Sequence, residues 1–213
     1  MQKKENRVDT GLDENSVELP ACMGFEMVKV TEQEQPADSN IKRVLLCVTG
    51  SIAAYKACEL TRELVKANVE VRVLMTLNAT RFVTPLTFAV LSGHPVYSNE
   101  WEQGMIHIDA RNAADLLLVA PATANSIAKF ANGIADDVVS STWLAARCPR
   151  LVAPAMNPAM WQNAATRRNM DQLQADGAEI VAPGSGNVIC GDIGEGRLAD
   201  LQQIVRLVLD RLG

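Results

Sequence analysis

The chain has 213 residues, the length of one large domain or two small ones. Hydrophobic residues make up 48% of it and charged residues 21%, an ordinary globular composition that excludes disorder along the whole chain. The net charge is −5, no basic block occurs, and only 4% of residues are aromatic. This composition argues against nucleic-acid and anionic-membrane partners, which select basic surfaces and, for single strands, stacking side chains.

Cysteine and histidine are too few and too scattered for the common metal sites. The two histidines are His94 and His107, and the five cysteines show no CxxC spacing. A disulfide framework is unusual in a chain this long, so we expect reduced thiols. No apolar run approaches the roughly 20 residues of a membrane span, and the N-terminus lacks the apolar core of a signal peptide. We therefore expect a soluble, cytoplasmic protein.

Residues 1–40 differ in composition from the rest of the chain. They are rich in Glu, Asp, Gln, Asn and Ser, and their one apolar stretch is short. We expect a flexible tail that carries no chemistry. The alternative is an arm that packs on a neighbouring subunit through Phe25, Met27 and Val28. Residues 41–213 are predicted to form a single domain.

From residue 41 onwards, apolar runs of strand length alternate with segments of helical periodicity. The predicted strands span residues 41–48, 69–75, 116–120, 151–153 and 179–181, and the third is expected to stop at Pro121. The predicted helices span residues 52–67, 123–132, 137–147, 164–175 and 199–212. Continuous apolar strands separated by helices predict a doubly wound α/β domain, Rossmann-like or flavodoxin-like, whose parallel sheet carries helices on both faces.

Small polar residues follow three of the predicted strands. They are Gly50 and Ser51 after the first strand, Thr76 and Asn78 after the second, and Thr123, Asn125 and Ser126 after the third. In an open parallel sheet, ligands bind beyond the carboxyl ends of the strands. One such turn is ordinary helix capping, but three at one edge predict a bound phosphate. The first turn lacks the full GxGxxG pattern, which disfavours a dinucleotide.

Asn157 directly follows the fourth predicted strand and stands between Pro154 and Pro158. The two prolines predict a rigid turn that holds the Asn157 amide at the ligand edge of the sheet. An amide offers both donors and an acceptor, so it suits a carboxylate or a flavin-like ring. An asparagine that only shapes a turn is the alternative.

Two further positions carry reactive groups. His107 stands between two isoleucines, a setting more typical of a packed core histidine than of a catalyst. Cys190 lies among three glycines in residues 188–197. We expect no regular secondary structure in this segment, and we interpret it as a flexible flap that carries a thiol. A disordered connector is the alternative there. The other four cysteines lie in tail, strand or helix contexts and are expected to be inert.

Five motifs occur in a recognisable order. They are TGSIAAYK at 49–56, HID at 107–109, APATANSIAKFANGIADD at 120–137, PAMNPAMW at 154–161 and CGDIGEGR at 190–197. Together they resemble the flavin-dependent cysteine decarboxylases, and the resemblance covers residues 41 to about 210. The combination of the fourth and fifth motifs is highly specific to that family, whereas the early Gly-Ser turn alone is not.

The resemblance implies a non-covalently bound FMN, a cysteine-containing substrate, and a homotrimer or a dodecamer of trimers with the flavin at a subunit interface. It implies that FMN is bound by Gly50, Ser51, Ile52, Thr76, Asn78, Thr123, Ala124, Asn125, Ser126 and Ala155. It also implies that His107 is the catalytic histidine and that Cys190 is the proton donor on the flap. Asn157 would grip the substrate carboxylate, with Met156 beside it in the substrate site.

The motifs are most like those of family members that decarboxylate 4'-phosphopantothenoylcysteine to 4'-phosphopantetheine in coenzyme A biosynthesis. Oxidation of the thiol to a thioaldehyde, with the flavin as hydride acceptor, places an electron sink β to the carboxylate, and loss of CO₂ gives an ene-thiolate. The reduced flavin then returns the hydride, while Cys190 protonates the other carbon. One alternative is oxidative decarboxylation of a peptide's C-terminal cysteine, which stops at the ene-thiol and needs no Cys190. A non-enzymatic regulatory subunit on the same fold is less favoured, because His107, Asn157 and Cys190 are all present.

Overall fold

The structure, a computed structural model, describes residues 41–100, 114–187 and 193–213. Residues Asp38–Gly213 form one compact unit. The expectations for residues 1–40, for His107 and for Cys190 fall on residues outside the described ranges. Within those ranges every helix is too short or too polar to cross a membrane. The same ranges contain no group of three His, Cys, Asp or Glu residues arranged to hold a metal ion.

Strands and helices alternate through most of the described chain, as predicted. In chain order they are β1 (Arg43–Val48), α1 (Ala54–Lys66), β2 (Glu70–Met75), a 3₁₀ helix (Ala79–Arg81), α2 (Pro85–Ser92), β3 (Val96–Tyr97), β4 (Leu116–Ala122), α3 (Ala124–Ala131), α4 (Val138–Ala145), β5 (Arg150–Pro154), α5 (Pro158–Gln162), α6 (Ala164–Ala175), β6 (Glu179–Ile180), β7 (Gly184–Asn187), β8 (Ile193–Arg197) and α7 (Leu201–Leu212).

The strands β3, β2, β1, β4, β5 and β6 form a parallel sheet in that spatial order. This arrangement confirms the predicted doubly wound fold, and its strand order is that of a Rossmann domain. The chain winds outwards from β1 through β2 to β3, and then outwards in the opposite direction from β4 to β6. The crevice between the carboxyl ends of β1 and β4 is therefore the topological switch point, where ligands of such sheets bind.

Helices cover both faces of the sheet because the central strands are apolar on both faces. Val44, Leu46 and Val48 of β1 face a core shared with α1, α2 and α7. Leu45 and Cys47 face a second core shared with α3, α4 and α6. All five side chains are buried. A continuous apolar strand thus encodes a sheet that is covered on both sides.

The prediction that the third strand stops at Pro121 is wrong. β4 continues to Ala122, and its pairing with β5 shifts register between Val119 and Ala122. Proline has no N–H to donate to a ladder, so it is tolerated where the pairing is irregular. The Pro121 carbonyl accepts hydrogen bonds from Thr49, which fixes this end of β4 to the end of β1.

The prediction of no regular element in residues 188–197 is also wrong for the part that is described. Ile193–Arg197 form β8, which pairs antiparallel with β7. Gly186 and Gly196 have φ values of +145° and +131°, which favour glycine. The glycines therefore allow the backbone conformation that the β7–β8 hairpin requires.

Several short elements were not predicted at all. These are the 3₁₀ helix, α2, β3, α5 and β7. β3 has two residues and α5 has five, which is too short for a hydrophobic period to show.

Candidate active site

A buried threonine joins the two strand ends at the switch point. Thr49 Oγ1 donates a hydrogen bond to the Pro121 carbonyl at 2.7 Å and accepts one from the Thr123 N–H at 3.0 Å. The Thr49 side chain is fully buried. We call residues 49–53 after β1 and residues 123–126 after β4 the switch-point turns. Thr49 was not among the predicted site residues, because its role depends on the irregular end of β4.

The first switch-point turn lies in close contact with the chain that follows β2. A Cβ added to Gly50 would come within 2.5 Å of the Asn78 Cβ, so only glycine fits there. Ser51 Oγ accepts the Ala53 N–H at 3.2 Å and shapes the turn into α1. The α1 N-cap, Ala53, has no side-chain cap. Two of the three predicted ligand turns are thereby adjacent in space.

The segment after β2 also carries an exposed aromatic ring. Thr76 is nearly buried, and its hydroxyl oxygen accepts the Ala79 N–H at 3.3 Å, at the start of the 3₁₀ helix. Asn78 is exposed. Phe82 follows the 3₁₀ helix and is 49% exposed, which is unusual for so large an apolar side chain. Sequence reasoning missed Phe82, since exposure of a ring is not visible in the sequence.

The second switch-point turn is the N-terminus of α3. Thr123 is the N-cap, and its hydroxyl accepts the Ser126 N–H at 3.2 Å and lies 3.1 Å from the Ser126 hydroxyl. Asn125 is exposed on the first turn of the helix, and Ser126 is buried. Capping is therefore part of what these residues do, and a hydroxyl that accepts a hydrogen bond still has its own proton to donate.

Asn157 caps α5 in the rigid setting that its flanking prolines predicted. Its Oδ1 accepts the Ala159 N–H at 2.7 Å, and Pro158 occupies the first position of the helix. The preceding Ala155 is buried, and its N–H donates to the Ala122 carbonyl of β4 at 2.9 Å. We call residues 155–158 the Asn157 turn. This turn is tied to the end of the strand that carries the second switch-point turn.

Strand β8, which is distant in sequence, packs closely against the Asn157 turn. The Met156 N–H donates to the Gly196 carbonyl at 2.8 Å, and a Cβ on Gly196 would come within 2.5 Å of the Met156 carbonyl oxygen. A Cβ on Gly194 would likewise lie 3.0 Å from the Pro158 Cβ. Glycine at both positions is therefore what allows the strand to approach so closely.

A side-chain contact strengthens the junction between β8 and α5. The Trp161 Nε1–H donates to Glu195 Oε2 at 3.3 Å. The Arg167 guanidinium lies over the Trp161 ring, 4.6 Å from its centre. The hairpin is thus fixed to the helix that Asn157 caps.

Burial disfavours the thiolate form of the three described cysteines. Burial raises the pKa of the Cys47 thiol far above its ordinary value, and burial also raises the pKa of Cys58 and of Cys148. Raised pKa values leave these thiols protonated and unreactive at neutral pH. None of the three forms a disulfide.

Most of the predicted site residues lie at one edge of the sheet. Ile52 is half exposed in the first switch-point turn, and Ala124 is the first residue of α3. Met156 is partly buried beside Asn157. His107 and Cys190 lie outside the described residues, so their positions relative to this edge stay predictions.

A comparison with protein families decides the relationship of the chain. The sequence model named Flavoprotein matches residues 32–213. The chain belongs to the Flavoprotein family. One relative is the coenzyme A biosynthesis bifunctional protein CoaBC of Bacillus subtilis, 50% identical over 172 residues that cover 79% of this chain. Because that alignment covers 42% of the relative, the chain spans less than half of its length.

Two further comparisons match proteins along nearly their whole length. A probable phosphopantothenoylcysteine decarboxylase of Streptococcus mutans is 45% identical over 177 residues, which cover 80% of this chain and 99% of that protein. Among solved structures, the FMN-dependent cysteine decarboxylase SpaF is 36% identical with a TM-score of 0.71. That alignment covers 81% of this chain and 98% of SpaF.

Proposed function

We propose that the protein is an FMN-dependent decarboxylase that converts 4'-phosphopantothenoylcysteine to 4'-phosphopantetheine in coenzyme A biosynthesis. The observation that carries this proposal is the Asn157 amide, held rigidly beside a Rossmann switch point. The names of the similar proteins support both the cofactor and the substrate class. The intact CGDIGEGR motif with Cys190 favours this reaction over one that stops at the ene-thiol.

The residues at the switch point fit a phosphate and a flat ring. The contact of Gly50 with Asn78 leaves backbone, without side chain, at the first switch-point turn. The N-terminus of α3 carries the hydroxyls of Thr123 and Ser126, which suit a phosphate. Phe82, which follows the 3₁₀ helix after β2, is half exposed and offers an apolar face to a ring. The residues that would hold FMN here are Gly50, Ser51, Ile52, Thr76, Asn78, Thr123, Ala124, Asn125, Ser126 and Ala155.

Bound FMN supplies the hydride transfer for which the polypeptide has no group of its own. Asn157 holds the substrate carboxylate by amide hydrogen bonds, which orient it without neutralising its charge. Once the substrate thiol is a thioaldehyde, the electron pair released with CO₂ moves onto its carbon–sulfur unit. His107 assists proton movement, and the Cys190 thiol donates the proton that completes the saturated thiol product. The roles of His107 and Cys190 rest on the family resemblance.

We also propose that the enzyme is a cytoplasmic homotrimer or a dodecamer of trimers. Large apolar side chains are exposed on and near α2, close in sequence to the residues assigned to FMN. They are Leu77, Phe82, Leu86 and Val90, which are 49% to 75% exposed. A subunit interface would remove this surface from water. Light scattering should give a multiple of three subunits, and an active protein that is strictly monomeric would contradict the assembly.

The reaction is tested by incubating the purified holoenzyme with 4'-phosphopantothenoylcysteine and weighing the products. We expect the saturated thiol formed by loss of one CO₂, with no oxygen consumed and the flavin oxidised at the end. Release of the ene-thiol, lighter by two hydrogens, together with oxygen consumption would favour the peptide-cysteine reaction. No turnover of either kind of substrate would favour a regulatory subunit.

The role of Cys190 is tested by the variant Cys190→Ser on the same substrate. A serine hydroxyl is a far weaker acid than a thiol with its ordinary pKa of about 8.5, so it should not protonate the intermediate. We expect the variant to reduce its flavin once and to accumulate the ene-thiol. Saturated product at the wild-type rate would show that Cys190 is not the proton donor.

A further inference from the structure

A cavity lies between the first helix and the base of the hairpin, outside the residues assigned above. Its volume is about 420 Å³, and its walls come from α1, from the β7–β8 hairpin and from the start of α7. The polar side chains that line it are those of Lys56, Glu59, Ser185, Arg197, Asp200 and Gln202. Neither the switch-point turns nor the Asn157 turn contributes to this lining.

Two of the lining side chains are cations that have no counter-ion among the described residues. Among the described residues, no carboxylate lies within ion-pair distance of Lys56 or Arg197. By contrast, Lys66 at the end of α1 pairs with Glu63 at 2.7 Å. Lys56 is partly buried, and Arg197 is exposed, so both cations are accessible to a ligand in the cavity.

The two carboxylates of the lining differ in what they do. Asp200 caps α7, and its Oδ1 accepts the Gln202 N–H at 2.9 Å. Its charge is therefore directed at the positive end of the helix. Glu59 is exposed one turn after Lys56 and makes no ion pair within the described part of the chain. Glu59 is thus the group that opposes anion binding in this cavity.

The cavity is connected to both halves of the proposed active site through short stretches of chain. Arg197 follows Gly196, whose backbone touches Met156 of the Asn157 turn. A Cβ on Gly186 would lie 3.2 Å from Arg197 Nη1, so the guanidinium lies against the hairpin. Lys56 belongs to the first turn of α1, directly after the Gly50–Ser51 turn. Arg197 on the cavity wall is therefore one residue along β8 from the backbone contact with the Asn157 turn.

We propose that this cavity binds the phosphate of the phosphorylated substrate, with Lys56 and Arg197 as its cationic ligands. The assignment rests on the proposed function and adds the recognition of the substrate's remote end. A guanidinium binds phosphate oxygens in pairs, and an ammonium acts as a compact point charge, so the two complement each other. The binding is non-covalent and needs no other reactant.

The experiment compares 4'-phosphopantothenoylcysteine with pantothenoylcysteine, which lacks only the phosphate, on the holoenzyme and its variants. We expect Lys56→Gln and Arg197→Gln each to raise KM for the phosphorylated substrate by about tenfold or more, since each removes a charge-assisted contact. The KM for pantothenoylcysteine should change far less. Arg197→Lys, which keeps the charge, should keep most of the preference for the phosphorylated substrate.

A variant that is expected to lower KM, rather than raise it, provides a second test. Glu59→Gln removes the opposing charge and should lower KM for the phosphorylated substrate alone. The matched control is Arg62→Gln, which removes an exposed cation from the same helix but outside the cavity, and which should leave both KM values unchanged. Equal effects of Lys56→Gln on the two substrates would overturn the proposal, and so would a wild-type enzyme without preference for the phosphate.

The experiments distinguish an incorrect assignment of the phosphate site from an incorrect assignment of the reaction. If the wild type turns over neither substrate, the proposed reaction is wrong. Calorimetry with 4'-phosphopantetheine then tests the cavity by itself: weakening by about tenfold or more in Lys56→Gln supports the phosphate site. Absent binding, or equal binding by the wild type and the variant, overturns it. Turnover of a peptide C-terminal cysteine without any phosphate preference also overturns it.

Discussion

The switch-point turns and the Asn157 turn are held in place by different kinds of contact. In the switch-point turns, side-chain hydroxyls bind backbone groups, as Thr123 does with the Ser126 N–H and Thr49 with the Pro121 carbonyl. The Asn157 turn has its own cap, but it is also pressed by the backbone of β8 at Gly196. The proposed FMN site is thus fixed by hydroxyls and by the contact of Gly50 with Asn78, whereas the proposed substrate site is fixed by its own cap and by the backbone of β8. Changes to the contacts of one site should therefore affect either FMN binding or turnover of the substrate, without affecting the other.

The largest expected effect separates the neutral amide of Asn157, proposed to bind the substrate carboxylate, from its role as a helix cap. Asp is as good an N-cap as Asn, so Asn157→Asp should keep α5 and FMN in place. It places a negative charge where the substrate carboxylate is proposed to bind, so kcat/KM should fall on the order of a thousandfold. The control Asn163→Asp changes the cap of α6, which has the same geometry, and should leave kcat/KM unchanged. Unchanged turnover in Asn157→Asp would show that the substrate carboxylate does not bind at Asn157.

The next effect tests the support that β8 gives to the Asn157 turn. Gly196→Ala adds a Cβ 2.5 Å from the Met156 carbonyl at a φ of +131°, so the turn or the strand must move. A displacement of about 1 Å can cost on the order of a hundredfold in rate, and we expect a loss of that size in kcat. The visible spectrum should show wild-type FMN content, and loss of the flavin together with the activity would contradict the separation of the two regions.

A change in the first switch-point turn should instead lower the affinity for FMN. Gly50→Ala adds a Cβ 2.5 Å from the Asn78 Cβ and must push the two turns apart. Overpacking of this kind costs about 1–3 kcal/mol, so we expect FMN affinity to fall by about tenfold to a hundredfold in a fluorescence titration. Gly177→Ala is the control away from the site: its φ of +83° strains the backbone locally, but its Cβ would have nothing within 4 Å, so the variant should bind FMN normally. Normal FMN affinity in Gly50→Ala would exclude the turn from the flavin site.

The smallest expected effect concerns the tie between β1 and β4. Thr49→Val keeps the shape of the side chain but leaves the partly buried Thr123 N–H without its acceptor. The free energy of unfolding should fall by about 1–3 kcal/mol in a denaturant titration. Thr61→Val is the matched control, because Thr61 is equally buried and its hydroxyl only donates to Ala57 within its own helix. Equal losses in the two variants would show that the tie between the strands adds nothing.

Contacts that are local in sequence could be predicted, and contacts between distant segments could not. The buried strands are visible as apolar runs such as VLLCV in β1, and the Thr123 and Asn157 turns are visible because their capping partners lie within three residues. These features are sufficient for the fold class and for the edge at which the site lies.

The rest depends on tertiary structure. The sequence of β8, IGEGR, has no alternation of apolar residues, and it forms a strand because it pairs with GSGN of β7 and lies on the Asn157 turn. Pro121 continues β4 only because the register of that strand shifts beside it. The cavity beside Lys56 and Arg197 likewise exists only once α1, the hairpin and α7 meet.

The central claim is that FMN binds at the switch-point turns while Asn157 holds the substrate carboxylate. The most direct test is a crystal structure of the wild-type holoenzyme with 4'-phosphopantothenoylserine, in which a hydroxyl replaces the reactive thiol. The account is supported if the FMN phosphate lies within hydrogen-bond distance of the switch-point turns and the carboxylate lies within hydrogen-bond distance of the Asn157 amide. A carboxylate bound away from Asn157, or a flavin bound at another edge of the sheet, would contradict it.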